Sequence, residues 1–151
     1  MSFAGLLSTG IFLTHLLTTL AVTGMMWFIQ IVHYPLQRMV GREQAVAYER
    51  AHTGRTVAVV VSLMMIECAT GMLLLWLRPA RVGIRQVWIG LVLLGIIWLS
   101  TMLLQVPQHK ILAKAYRPEA LEALISTNWI RTVCYSARAW LMLAMVMSVM
   151  Q

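Results

Sequence analysis

Charged side chains are scarce in this sequence, and their scarcity excludes a soluble globular domain. Only 11% of the 151 residues are charged, whereas 60% are hydrophobic. A soluble domain of this length could not bury so much apolar surface, because small domains keep a large surface for their volume. The composition therefore predicts an integral membrane protein.

Long apolar runs take the place of the missing charges. Four runs are long enough to cross a bilayer, since its hydrocarbon core needs about 20 residues of helix. The runs lie at residues 6–32, 56–77, 87–106 and 129–150. We therefore predict an all-α fold, an integral membrane four-helix bundle that forms a single domain over residues 1–151.

The sequence divides into two similar helical hairpins, at about residues 1–78 and 79–151. In each hairpin the first apolar run ends near a histidine and a proline. These residues are His33 and Pro35 in the first hairpin and Pro107 and His109 in the second. Because proline interrupts a regular helix, we expect the first and third spans to close there.

The longer connections are also expected to be helical. Residues 41–53 contain no proline and are rich in helix-forming residues. Residues 118–125 begin with Pro118, which suits the first helical position, and Glu119 and Glu122 complement the positive start of a helix. We predict a short interfacial helix in each segment.

The sequence lacks the short motifs that mark many catalytic metal sites. No HExxH or CxxC pattern is present, and the two cysteines, Cys68 and Cys134, fall at different depths of separate spans. A disulfide between them is not expected, because bridged Cα atoms lie within about 7 Å of each other. A functional site must therefore be inferred from the convergence of polar residues.

Lysine and arginine are unequally divided among the connections. Eight lie in or beside the first and third connections, namely Arg38, Arg42, Arg50, Arg55, Lys110, Lys114, Arg117 and Arg131. The second connection holds three, namely Arg78, Arg81 and Arg85. Because cytoplasmic connections carry an excess of these residues, we predict a multi-pass protein of the cell (inner) membrane with both termini outside. The net charge of +7 then predicts contact with the lipid bilayer and not with nucleic acid.

Two charged residues, Glu67 and Arg138, fall well inside the apolar runs. Counted from the same membrane face, both lie roughly 16–20 Å deep at the rise of a helix. Charges at such depth are costly and are candidates for function. We predict that they interact, either as an ion pair that fixes helix register or as catalytic residues together with Tyr34 at the basic end.

Polar side chains recur every three or four residues along each predicted span, so each helix has one polar face. Lipid does not solvate such groups, and the four polar faces should therefore point inward. At the basic end this arrangement gathers potential metal ligands and cofactor-binding residues. The predicted metal ligands are His33, Glu49, His52 and His109, and the predicted cofactor-binding residues are Gln30, Gln105, Asn128 and Arg131.

Imidazole and carboxylate groups are common ligands of iron, copper and zinc, and histidine also binds haem iron. The cluster therefore predicts a transition-metal or haem site. A structural or substrate-binding role stays open, because histidines at helix ends are often interfacial residues. His15 lies toward the opposite face and is expected to be hydrogen-bonded to a threonine.

The second half of the chain resembles the small four-helix membrane proteins related to anthrone oxygenase. The resemblance rests on Gln105-Val-Pro-Gln-His109-Lys-Ile-Leu112, on Asn128-Trp129-Ile-Arg131 and on Arg138. It covers about a third of the chain, and His109 stands where that family usually has asparagine. The resemblance implies a four-helix membrane fold and the oxidation of a small hydrophobic aromatic.

A weaker resemblance links the first helix to the small membrane protoporphyrinogen oxidases of bacteria. It rests on His15, Trp27 and Tyr34-Pro35-Leu36. This resemblance implies that His15 is the axial ligand of a haem. The third span has no interior histidine and does not follow the pattern.

The polar interior and the resemblances favour an integral membrane oxidoreductase-like enzyme. It would use a metal or haem at the basic, cytoplasmic end of the bundle on a small hydrophobic substrate. The alternatives are a non-enzymatic binder or transporter, with an anionic or amphipathic ligand at Arg131 and Arg138, or a subunit of a larger membrane complex. A four-helix unit with short outer connections can also form a homodimer.

Overall fold

The computed structural model describes residues 2–151 as four long helices joined by short connections. All four helices are long and apolar enough to cross a membrane. They are α1 (Phe3–Gln37), α2 (Arg42–Leu77), α3 (Ile84–Leu112) and α4 (Pro118–Met150). This result confirms the predicted all-α fold with four helices of membrane-spanning length.

The helices pack as a bundle in which α1 contacts α2 and α4, and α3 contacts α4. The contact between α2 and α3 is less extensive. We call the end with connections 38–41 and 113–117 the histidine end, and the end with both termini the terminal end. Apolar clusters fill the interior at three levels, around Phe12 and Met142 at the terminal end, Met26 and Ile97 in the middle, and Leu121 and Leu124 at the histidine end.

Two helices continue through the prolines that were expected to close them. In α1 the π-helical segment Ile29–His33 lies directly before Tyr34 and Pro35, and in α3 the segment Thr101–Gln105 lies directly before Val106 and Pro107. A proline ring clashes with the carbonyl four residues earlier, and both of those carbonyls lie inside a π-helical segment. The wider π turn accommodates the ring, so the hydrogen-bond pattern changes locally and the helix continues.

The structure does not separate the two predicted interfacial helices from the spans. Arg42–Thr56 continues through the π-helical segment Val57–Val61 into Ser62–Leu77, and Pro118–Met150 is one uninterrupted helix. No proline follows Arg42 or Pro118 within these helices. Helix propagation therefore continues into the apolar run, because each added residue gains a hydrogen bond without a new nucleation cost.

An ion pair on the surface of the histidine end links the connection after α1 to the first turns of α4. Arg38 donates hydrogen bonds of 2.7 and 2.6 Å to both carboxylate oxygens of Glu122. This bond raises the pKa of the Arg38 guanidinium above its usual value. Both side chains are about half exposed, so the pair contributes little to stability.

Candidate functional site

Glu67 and Arg138 form an ion pair in the middle of the bundle, as the sequence predicts. Arg138 Nη2 lies 2.9 Å from Glu67 Oε1, and both side chains are almost completely buried. Thr19 donates a hydrogen bond of 2.8 Å to Oε1 and Tyr135 one of 3.1 Å to Oε2. Arg138 Nη1 donates to the carbonyl of Gly90. The pair therefore joins all four helices.

His15 extends this network toward the terminal end and is hydrogen-bonded to a threonine, as expected. Its Nδ1 lies 2.9 Å from Thr70 Oγ1, and its Nε2 lies 3.3 Å from Arg138 Nη2. Because the guanidinium can only donate, Nε2 accepts and the ring proton lies on Nδ1. A Cβ atom at Gly71 would lie 3.0 Å from the imidazole, so this glycine makes room for the ring. Both ring nitrogens are engaged, and the role of haem ligand for His15 stays a prediction.

A second polar group, the histidine cluster (His33, Tyr34, Glu49, His52 and His109), lies at the histidine end. Glu49 is the one carboxylate in this cluster. Glu49 is buried, and its Oε1 lies 2.6 Å from His109 Nδ1. Thr53 donates a hydrogen bond of 2.9 Å to Oε1, and Gln37 donates one of 2.6 Å to Oε2. With three partners, the carboxylate is held in one orientation.

The remaining members of the histidine cluster lie against this pair. His33 Nε2 is 3.0 Å from His52 Nδ1, and the two rings stack with their centroids 4.5 Å apart. The ring centroids of His52 and His109 are 5.7 Å apart, and Tyr34 Oη lies 3.3 Å from His109 Nε2. The three histidines therefore converge as the sequence predicts, and the Tyr34 ring lies beside all three.

The potential metal ligands of the histidine cluster are hydrogen-bonded to one another. Among residues 2–151 no group of three or more His, Cys, Asp or Glu side chains is placed to hold one ion. His109 and Glu49 face each other through a hydrogen bond, and His33 and His52 are the one histidine pair within residues 2–151 whose ring nitrogens lie at hydrogen-bond distance. Zinc sites generally use three or four protein ligands. The binding of a metal or haem stays a prediction.

A cavity of about 270 Å³ opens beside the histidine cluster, where α2 and α3 separate. Its walls are mostly apolar and include Val57, Val60, Val61 and Met64 of α2. Its polar lining includes His52, His109, Gln105, Lys110 and Arg131. This cavity was not predicted from the sequence.

The four predicted cofactor-binding residues divide into two pairs. Gln105 and Arg131 line the cavity. Asn128 instead donates a hydrogen bond of 2.9 Å to Gln30 Oε1, and Gln30 donates one of 3.2 Å to the carbonyl of Ile125. Gln30 and Asn128 therefore join α1 to α4, while Gln105 and Arg131 lie in the cavity wall.

The π-helical segments were also missed, although all three lie at this end of the bundle. Ile29–His33 carries Gln30 and His33, and Thr101–Gln105 carries Gln105. Val57–Val61 supplies the apolar cavity wall. Such segments occur frequently at functional sites, because the wider turn redirects side chains. In the sequence, Pro35 and Pro107 marked the places of two of these segments, and no residue marked the third.

No family model, curated protein or solved structure matches this chain. The resemblances to proteins related to anthrone oxygenase and to protoporphyrinogen oxidases therefore stay predictions. The histidine cluster and the cavity beside it are the features of the structure that bear on function.

Proposed function

We propose that this chain is a multi-pass membrane enzyme, similar to an oxidoreductase, that acts on a small hydrophobic substrate. The substrate binds in the cavity between α2 and α3. One observation carries the proposal. The apolar cavity of about 270 Å³ meets the imidazole of His109, which is held by the buried carboxylate of Glu49. An apolar chamber with a few convergent polar groups is the usual form of a small-molecule site.

The His109–Glu49 pair supplies a general base. The carboxylate accepts the proton on Nδ1, which fixes the tautomer and leaves the lone pair on Nε2. Nε2 lies 3.3 Å from the hydroxyl of Tyr34, so a proton can pass between them. His109 lines the cavity, so a substrate bound there can lose a proton to Nε2. Glu67 and Arg138 have a structural role in this proposal.

Deuterium exchange tests the proton transfer without requiring an electron acceptor. Purified protein in D₂O would be incubated with a panel of small hydrophobic ketones, with and without a carboxylate group, that carry weakly acidic C–H bonds, and incorporation would be followed by mass spectrometry. We expect wild-type protein to accelerate exchange in at least one compound. If no compound exchanges faster with the wild type than with His109→Gln, the proposed function is wrong.

Filling the cavity should have the same effect as removing the base. Val61 lines the cavity, whereas Val59 on the same helix is 54% exposed on the outer surface. We expect Val61→Phe to reduce the accelerated exchange at least tenfold, because the added ring occupies the substrate space. Val59→Phe is the matched control and should keep the wild-type rate. Equal rates for the two variants would place the substrate elsewhere.

Oxidation of the substrate requires an electron acceptor in addition to the base. Metal analysis and an absorption spectrum of the purified protein test whether iron, copper, zinc or haem is present. A stoichiometric metal or haem that is lost in His52→Ala and kept in His15→Ala would support an oxidoreductase with a cofactor at the histidine cluster. A protein without metal or haem that still exchanges protons would be a proton-transfer enzyme only.

The orientation proposed for the bundle places the histidine end in the cytoplasm and both termini outside. Its support is the count of eight lysine and arginine residues in or beside the first and third connections, against three in the second connection. The start of α2 and the start of α4 then lie at the cytoplasmic membrane interface. We expect a reporter fused after Gln151 to be active only outside the cytoplasm. A cytoplasmic signal would reverse the orientation.

A further inference from the structure

The guanidinium of Arg131 is buried without a carboxylate partner. Its side chain is 6% exposed, and its one hydrogen bond runs from Nη2 to the sulfur of Met26 at 3.2 Å. Its Nε has no hydrogen-bond partner. In the part of the chain that the structure describes, carboxylates lie beside the basic side chains of Arg38, His109 and Arg138 but not beside Arg131.

The two deep arginines of the bundle differ in their hydrogen-bond partners. Arg138 is paired with Glu67 and also donates to Gly90. Arg131 lines the cavity, where neither a carboxylate nor a backbone carbonyl accepts its hydrogen bonds. A buried charge without compensation costs several kcal/mol. The missing partner of Arg131 is therefore expected to be an anion in the cavity.

A second unpartnered donor lines the same cavity. Gln105 is 1% exposed, and its Oε1 accepts a hydrogen bond of 3.1 Å from Ser100. Its Nε2 has no partner among residues 2–151. This donor is independent of Arg131, because it comes from α3 whereas Arg131 comes from α4. The two groups offer only N–H donors, which is the complement of an oxygen anion.

We propose that the substrate of this cavity is a small amphipathic carboxylate. Its carboxylate accepts hydrogen bonds from Arg131 and Gln105, while its apolar body lies against Val57, Val61 and Met64. Arginine is suited to this role because its planar fork can donate two parallel hydrogen bonds to a carboxylate. Lys110, an exposed residue in the cavity lining, adds positive charge at the entrance.

The size of the cavity limits the apolar body. A cavity of about 150 Å³ holds one benzene molecule, so about 270 Å³ holds a body of roughly twice that size. A phospholipid with two acyl chains does not fit inside, although its phosphate could reach Arg131 from the bilayer. The inference rests on the proposed function, because it assigns the ligand class of the proposed substrate site. Carboxylate binding does not require turnover and can therefore fail independently of the proton-transfer chemistry.

Equilibrium binding of radiolabelled octanoate to the full chain in phosphatidylcholine nanodiscs tests the inference. Empty nanodiscs correct for partition of octanoate into lipid. We expect saturable binding that unlabelled octanoate displaces and octanamide, its neutral analogue of equal length, does not. Arg131→Gln should weaken the binding at least tenfold, and Arg131→Lys should restore part of it. Arg85→Gln, an equal loss of charge at an exposed position of the terminal end, should bind like the wild type.

Thermal unfolding shows whether the variant is folded. Without ligand, Arg131→Gln should unfold at the same or a higher temperature than the wild type, because it removes an unpaired buried charge. A lower temperature, equal octanoate binding by Arg131→Gln and Arg85→Gln, or no saturable binding to the wild type would each overturn the inference.

Nanodiscs that contain phosphatidylglycerol separate the two anion sources. If phosphatidylglycerol abolishes octanoate binding and copurifies only with proteins that retain Arg131, the anion is a lipid head group. The assignment of a small carboxylate is then wrong.

Without octanoate binding, the exchange experiment still tests the base. If Val61→Phe and His109→Gln abolish deuterium exchange of a neutral compound, the proposed function stands and only the carboxylate assignment fails. If neither exchange nor octanoate binding occurs, both proposals fail.

Discussion

Replacing Arg138 with glutamine should destabilise the bundle by about 3–5 kcal/mol, because it leaves an ionised carboxylate buried without its counter-charge. Glu67 is completely buried, and only the hydroxyl groups of Thr19 and Tyr135 would still donate to it. Glu67→Gln should destabilise by a similar amount, since the Arg138 guanidinium then lacks its anion. Unfolding in mixed micelles with increasing fractions of dodecyl sulfate measures both losses.

The double variant separates a real pair from two independent losses. Because the replacement of both partners leaves no unpaired charge, Glu67→Gln with Arg138→Gln should cost clearly less than the sum of the single variants. The surface pair Arg38–Glu122 is the matched control, since it has the same chemistry but is about half exposed. Its removal should produce no measurable change. Additive losses at Glu67 and Arg138 would show that the two side chains do not interact in the folded protein.

This pair was predictable from the sequence because depth in a membrane helix follows directly from residue count. Each residue adds about 1.5 Å of rise, so two charges in separate apolar runs can be placed at one level. The same reasoning brought His33, His52 and His109 to one end of the bundle. The four apolar runs themselves gave the four helices, since length and hydropathy decide what can span a bilayer.

The remaining features depend on backbone detail that residue count does not contain. Pro35 and Pro107 suggested helix ends, but π-helical turns absorb them and the helices continue. Polar periodicity placed Gln30, Gln105 and Asn128 in the interior without showing that two of them bond to each other. The difference arises because a π turn rotates the following side chains relative to a regular helix. The cavity was also not predictable, because it depends on the separation of α2 and α3, which residue count does not give.

The chemistry of the histidine cluster should depend most strongly on Glu49. In Glu49→Gln the new side-chain amide can donate a hydrogen bond to Nδ1 of His109, which favours the opposite tautomer and places the ring proton on Nε2. His109 would then have no lone pair directed at Tyr34 or at a substrate. General base catalysis contributes roughly 10²- to 10⁴-fold to rate, so we expect a loss of this size in deuterium exchange.

Glu43→Gln is the matched control for this variant, because Glu43 lies exposed in the first turn of the same helix and makes no hydrogen bond to the histidine cluster. It should exchange at the wild-type rate. Glu49→Asp retains the charge but shortens the side chain, so partial activity is expected if the carboxylate acts by orienting His109. Equal exchange rates for Glu49→Gln and Glu43→Gln would mean that His109 does not act as the base. The histidine cluster would then serve to join α1, α2 and α3 beside the cavity, and catalysis would have to be sought at another residue.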